Sequence, residues 1–253
     1  MKKYVNLIRF TKNWPNYFYA KYLDKKQEPI HFVGKNNVKL EVPREIILIF
    51  KEIYMDDLYI LSFLKEHLPK DPKIVDIGAN VGFFATFMAD HFPQSSIYAF
   101  EPLITNFNQL KKNCELNPDR NMVAKNQAVS GKPGSITLYY NPEKTLTPLA
   151  STSASFDNKN VKKTEVEAVT LEQIMDEYNL DRIDLLKLDC EGAEYDILYN
   201  APTHLFDKIG MMTMEVHNGD VPRENLEDLK KFLTDLGYQI RTRGDDFVWA
   251  WRP

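Results

Sequence analysis

KIVDIGANVGFF, residues 73–84, is the stretch on which the reading of the fold turns. Ile74, Val75 and Ile77 form a short apolar run rich in β-branched side chains, the composition of a buried strand. Gly78 ends that run, and from Val81 the sequence VGFFATFMADHF is helical. A strand that passes through a glycine-bounded turn into a helix is the opening unit of a βα repeat. Gly78 and Gly82 permit a tight turn and close backbone approach to a ligand. Asn80, between them, is one of the few other residue types that tolerate a positive φ.

Working outward, the rhythm continues. SIYAFEP (96–102) reads as a strand, LITNFNQLKKNCELN (103–117) as a helix bounded by Pro118, and NMVAKNQAVS (121–130) as another strand. After an interruption from Gly131 to Thr170, strands at IDLLKLD, MMTMEV, YQIRTR and DFVWAWR alternate with helices at LEQIMDEYNL, GAEYDILYNA and ENLEDLKKFLTDLG, except that a short turn joins the last two strands. The fold class is therefore α/β, a doubly wound, mostly parallel sheet. The interruption contains two strands, SITLYY and TEVEAVT, and a polar loop with Ser151, Thr152, Ser153 and Ser155 that is expected to lie above the active site.

Upstream, residues 30–42 alternate around Gly34–Asn37 as a hairpin, and residues 44–68 carry apolar residues at helical spacing. Residues 1–28 hold seven Lys/Arg against two acids, with many aromatics. Two readings of them stand: a helical arm whose rings pack on the main domain, or a basic aromatic surface for peripheral contact or oligomerisation. The expected organisation is an N-terminal helical and hairpin extension, 1–70, and a ligand-binding domain, 71–253.

Composition narrows the class. The 253 residues are 43% hydrophobic and 27% charged, ordinary for a globular chain that needs no staples. A net charge of −4 argues against a broad nucleic-acid surface. No apolar run reaches the ~20 residues of a membrane span. Cys114 and Cys190 match no metal spacing, and two lone thiols suit a cytoplasmic location. Cys190 is expected to be a small buried residue.

Ligands of open α/β sheets bind at the carboxyl ends of the strands, where Asp76, Gly78, Ala79, Asn80 and Gly82 lie. Glu101 ends the next strand, 19 residues after Gly82, where a carboxylate can accept hydrogen bonds from both hydroxyls of a ribose. The spacing is neither a P-loop nor the dinucleotide pattern. An acid beside the loop suits a nucleoside with a cationic amino-acid end.

VDIGANVGFFA, AFEP, NQAVS and IDLLKLDCEGAEYDIL, in that order, closely resemble the FkbM-type methyltransferase family over roughly residues 44–240. The resemblance implies a Rossmann-like class I methyltransferase fold, with seven strands and the last antiparallel. It implies S-adenosylmethionine as cofactor and O-methylation of a hydroxyl on a sugar, glycan or secondary metabolite. Asp76, Gly78, Asn80 and Gly82 match the family's cofactor loop, Glu101 its ribose acid, followed by Pro102. Gln127, Ala128 and Val129 match the strand end that reads adenine. EIYMDDLY (52–59) looks like the family segment over the cofactor, which adds Tyr54 and Asp56 as candidates.

The candidate catalytic cluster is Asp189, Glu191 and His217. Asp189-Cys190-Glu191-Gly192 ends the fourth parallel strand, and Glu215 and His217 end the next, pointing to one side of the pleat. Transfer to a hydroxyl needs alignment and a base. His217 has the side chain whose ordinary pKa lies nearest neutrality. Asp189 and Glu191 could instead cap the next helix. Lys187 shares Asp189's side of the strand. The same acids suit Mg or Mn loosely, and the metal stays unassigned. An RNA methyltransferase and a non-catalytic ligand-binding module remain the alternatives.

Overall fold

The computed structural model describes residues 2–26, 28–147, 151, 158–217, 219 and 221–252. Thr152, Ser153 and Ser155 of the hydroxyl-rich loop lie outside them. The chain opens with α1 (Lys2–Phe10) and α2 (Pro15–Phe18), then the hairpin β1 (Ile30–Val33) and β2 (Lys39–Val42), then α3 (Ile47–Tyr54) and α4 (Leu61–His67). The main layer follows: β3 (Lys73–Ile77), α5 (Phe83–His91), β4 (Ser96–Phe100), α6 (Ile104–Glu115) and β5 (Asn121–Lys125). A second set of strands is β6 (Ala128–Val129), β7 (Gly134–Tyr140) and β8 (Lys162–Val169). The chain ends with α7 (Leu171–Glu177), β9 (Ile183–Leu188), α8 (Glu194–Asn200), α9 (Thr203–Phe206), β10 (Ile209–Glu215), α10 (Leu226–Asp235), β11 (Gln239–Arg243) and β12 (Phe247–Trp251).

The central sheet has seven strands in the order β11-β12-β10-β9-β3-β4-β5. β3 pairs in parallel with both β4 and β9, and β12 runs antiparallel between β10 and β11. The strand order reverses at β3. Its two neighbours are followed by chains leaving in opposite directions, and this opens a crevice at its carboxyl end. NMVAKNQAVS does not form one strand. Asn126 turns its amide to the carbonyls of Glu101 and Pro102, at 3.0 and 2.8 Å, and the chain leaves the main sheet there. β6 joins β8 and β7 in a separate three-stranded sheet, order β6-β8-β7. That sheet roofs one end of the crevice.

Helices cover both faces. One face packs α5 against residues of the first 70: Phe10 meets Phe87 edge-on at 5.3 Å, and Phe50 meets Phe83 at 6.1 Å. The other packs α7, α8 and α10 on β9 and β10 around Leu186, Leu188, Met212 and Met214. The hairpin is tied down by polar groups as well as apolar ones. Asn113 on α6 and Asn117 just past its end accept from the N–H groups of Glu41 and Lys39 and donate back to their carbonyls. Each amide thus satisfies backbone that a neighbouring strand would otherwise satisfy. Asn113 also donates to the carbonyl of Val81, at 2.8 Å, so it fixes the glycine loop to the extension.

Candidate active site

The loop between β3 and α5 carries three consecutive demands on its sequence. Gly78 has φ +72°, and a Cβ there would lie 1.8 Å from the carbonyl oxygen of Asp189. Only glycine lets the ends of β3 and β9 meet so closely. Asn80 takes φ +51°; its Oδ1 accepts from the N–H of Val81 and its Nδ2 donates to Thr147. Gly82, φ +84°, starts α5 against Leu110.

The crevice divides into two parts that share Gly78 and Asp189. On the β4–β5 side, Phe100, Glu101, Pro102, Gln127, Ala128 and Val129 form a narrow slot closed by Ile136 and Leu138 of the small sheet. Glu101 is 5% exposed, and its two oxygens accept from the N–H groups of Asn80 and Leu103, both at 2.9 Å. Burial raises its carboxyl to about 7 against the pull of these donors. Each oxygen keeps a lone pair for a further donor. The side-chain oxygen of Gln127 is buried with no partner among the described residues. The slot therefore offers apolar walls for a flat ring and unsatisfied acceptors at its rim, which fits the adenosine of S-adenosylmethionine.

Across β3, a cleft of about 270 Å³ is lined by Leu48, Glu52, Leu58, Tyr59, Lys187, Asp189 and Glu215 together with the glycine loop. A hollow of about 480 Å³ shares Glu52, Leu58 and Glu215 with it and continues to Arg243 and Asp246.

Under the loop lies Lys187, 2% exposed. Its ammonium stands 3.2 Å from Asp76 and 3.4 Å from Asp189 and donates to the carbonyls of Ile77 and Gly78. Burial opposes its charge, but the two carboxylates outweigh burial and hold its pKa above the usual lysine range. Asp76 itself is 0% exposed, and burial pushes its carboxyl up while Lys187 pulls it down. Its carboxylate is turned to Lys187 and is not among the residues that line either part of the crevice.

At the ends of β9 and β10 the acids crowd. Glu194 is fully buried and accepts from the N–H groups of Cys190 and Gly192, so this residue organises the turn before α8. Glu191 takes φ +54° and is raised to about 8 by burial and by Asp189. His217 places Nε2 3.4 Å from Glu191 and 3.9 Å from Glu215, and Nδ1 3.5 Å from Glu194. Burial would lower His217, yet Glu194 and Glu191 push it up to about 9. The surrounding acids favour the protonated ring and make it a poorer base than its ordinary pKa suggests. Glu215, raised to about 7 by burial and then by Asp189, faces the cleft directly. Burial pushes the Cys190 thiol well above its usual range, which keeps it unreactive. Among the described residues no group of three His, Cys, Asp or Glu side chains is disposed to hold a metal ion.

The structure thus brings together Gly78, Ala79, Asn80, Glu101, Pro102, Gln127, Ala128, Asp189 and Glu191 around one crevice. Tyr54 is not among them. It is 1% exposed, stacks on Phe50, and its hydroxyl meets Thr86 of α5 at 3.2 Å. Its neighbours Glu52, Leu58 and Tyr59 reach the cleft instead. Helical and turn geometry at α3–α4 decides that, and no spacing in EIYMDDLY announces it. Ser151 donates to the carbonyl of Glu191 at 2.6 Å, so the start of the hydroxyl-rich loop does cross the site.

A reversed strand order at β3, a glycine loop and a ribose-height acid together define a class I methyltransferase fold. The methyltransferase FkbM domain matches residues 76–240. The methyltransferase sdnD of Sordaria araneosa is 32% identical over 81% of this chain and 86% of its own length. The 31-O-demethyl-FK506 methyltransferase FkbM of Streptomyces tacrolimicus is 26% identical over 70% of this chain and 76% of its own. The crystal structure of methyltransferase FkbM from Methylobacillus flagellatus KT superposes with a TM-score of 0.51 at 16% identity, over 72% of this chain and 44% of that one. The chain belongs to the FkbM methyltransferase family, and its methyl donor is S-adenosylmethionine.

Proposed function

We propose that this methyltransferase acts on a hydroxyl of a sugar, glycan or secondary metabolite, with Asp189 and its neighbours at the reacting centre. The observation that carries the reading is the position of Asp189, which lines both the adenosine slot and the acidic cleft. Bound S-adenosylmethionine supplies a methyl carbon already activated by its sulfonium. What remains for the chain is to align the acceptor and take a proton from it.

Asp189, held by Lys187, accepts a hydrogen bond from the acceptor hydroxyl and orients it. Glu215, with a pKa near neutrality, stands in the cleft as the proton acceptor. His217 and Glu191 act as a pair: the imidazolium restrains Glu191 and limits the negative charge around Asp189. The carboxylates of Glu52, Asp189 and Glu215 favour a neutral acceptor over a phosphate backbone, which counts against the RNA reading. The name of the Streptomyces relative, a methyltransferase of a demethylated oxygen, supports the same class.

The reading is tested by incubating the protein with S-adenosylmethionine and a panel of polyhydroxylated acceptors, short RNA and simple amines, and following S-adenosylhomocysteine release. Turnover of hydroxylated acceptors with an O-methyl product supports it. Methylation confined to RNA or to nitrogen would overturn it.

A further inference from the structure

The N-terminal arm is fixed by one face and leaves another unpartnered. Leu7, Phe10, Tyr17 and Ala20 are each at most 5% exposed, and they pack into the core shared with α5. Asn6 donates to the carbonyl of Met55 and Arg44 to that of Ala20, so the arm is tied to the domain at two points. A helix anchored in this way ordinarily turns polar side chains outward.

This one does not. Among the described residues nine large hydrophobic side chains are exposed, and five of them fall here: Val5 at 60%, Ile8 at 44%, Tyr19 at 50%, Tyr22 at 61% and Leu23 at 77%. The two groups lie on adjoining segments, because Tyr4 of α1 meets Phe18 of α2 at 5.4 Å and Phe18 stacks at 6.4 Å on Tyr22, in the π-helical turn Tyr19–Leu23 that continues α2. Lys2, Lys3 and Arg9 flank the first group, and Lys21, Lys25 and Lys26 the second; all six are exposed. Lys21 lies 5.0 Å over the ring of Tyr22. Residues 1–28 carry seven cations and two acids in a chain whose net charge is −4, so the rest of the molecule is more acidic than its total shows.

We propose that this face binds the surface of an anionic phospholipid bilayer, with the aliphatic and tyrosine side chains in the headgroup boundary and the lysines and arginine on lipid phosphates. Aliphatic, aromatic and cationic side chains on one anchored surface are the composition that an interface of this kind selects. The contact proposed is peripheral, made by side chains of a folded arm; no helix among the described residues is long and apolar enough to cross a membrane. A second copy meeting the same face by two-fold symmetry would set cation against cation. The acidic remainder of the molecule keeps the rest of its surface away from an anionic bilayer, which fixes the orientation of docking.

Co-sedimentation of the full chain with vesicles tests this, using phosphatidylcholine alone and phosphatidylcholine with roughly a quarter phosphatidylserine. Binding is expected only to the anionic vesicles, and it should fall steeply as salt shortens the Debye length. Each surface cation contributes about fivefold to partitioning, so K21E/K25E/K26E should lower it by more than tenfold. Y22S/L23S, at constant charge, should lower it by about fivefold or more. Both variants should keep the parent's melting temperature and S-adenosylhomocysteine affinity, since the changed side chains are exposed. Failure to bind anionic vesicles, equal binding to neutral ones, or no loss in either variant would overturn the proposal. So would self-association through this face that the variants abolish in a protein that ignores vesicles.

Discussion

The two halves of the crevice treat their carboxylates in opposite ways. On the cofactor side Glu101 meets two backbone N–H groups, and beneath the loop that both halves share Asp76 meets Lys187, so each of these buried acids has a partner of its own. At the ends of β9 and β10, Asp189 and Glu215 line the acceptor cleft and Glu191 lines the slot, and with the buried Glu194 they share one imidazole and the edge of Lys187. The first half is matched to a ligand of fixed shape. The second holds more negative charge than its own cations balance, and burial with mutual repulsion brings Glu191 and Glu215 into the neutral range. A binding slot keeps acceptors fixed in place and open to the ligand, whereas a proton acceptor must be held close to its titration point.

Four measurements sharpen or break that contrast. The largest effect is expected from Asp189→Asn, with turnover falling by about 10² as the carboxylate that orients the acceptor is lost. Calorimetry should find S-adenosylhomocysteine affinity nearly unchanged; equal loss of both would make Asp189 a cofactor ligand only. Next, Lys187→Met leaves Asp76 buried without its counter-charge, at a cost of about 3–5 kcal/mol in stability. Chemical denaturation should show the loss, and adding Asp76→Asn should restore most of it. No rescue would mean that Lys187 serves the carbonyls of Ile77 and Gly78 more than the pair.

Glu101→Gln should weaken S-adenosylhomocysteine by roughly tenfold or more, the worth of a hydrogen bond to a charged group, while turnover at saturating cofactor is retained. The smallest and most specific effect is on pH dependence. A base must be deprotonated to act, so kcat/KM should rise with pH up to about 7, the pKa to which Glu215 is raised, and then level. In Glu215→Gln that limb should vanish. A limb that survives would move the proton to Glu191, whose value lies near 8.

His217 shows how position in the chain and state in the fold diverge. Its place just past a strand end makes it a catalytic candidate, and an isolated imidazole titrates near neutrality. Three carboxylates from three different elements surround it, and they turn a candidate base into a resident cation. Its charge adds stability below about pH 6.5, the ordinary histidine value, and that contribution is lost as pH rises through about 9.

Local sequence by itself determined the repeat, the glycine loop and the slot acids. Strand period, glycine at positive φ and an acid at a strand end are properties of contiguous residues, so KIVDIGANVGFF and AFEP carry them unaided. Tertiary structure decided the partnerships. Gly78 must be glycine because Asp189, 111 residues away, passes over it, a constraint visible only once β9 lies beside β3. The same pairing seats Lys187 against Asp76, and the turn after α3 brings Glu52 and Tyr59 to the cleft while Tyr54 is buried. Charges and cavities depend on distances through space, and spacing along a chain cannot state those until the chain is folded.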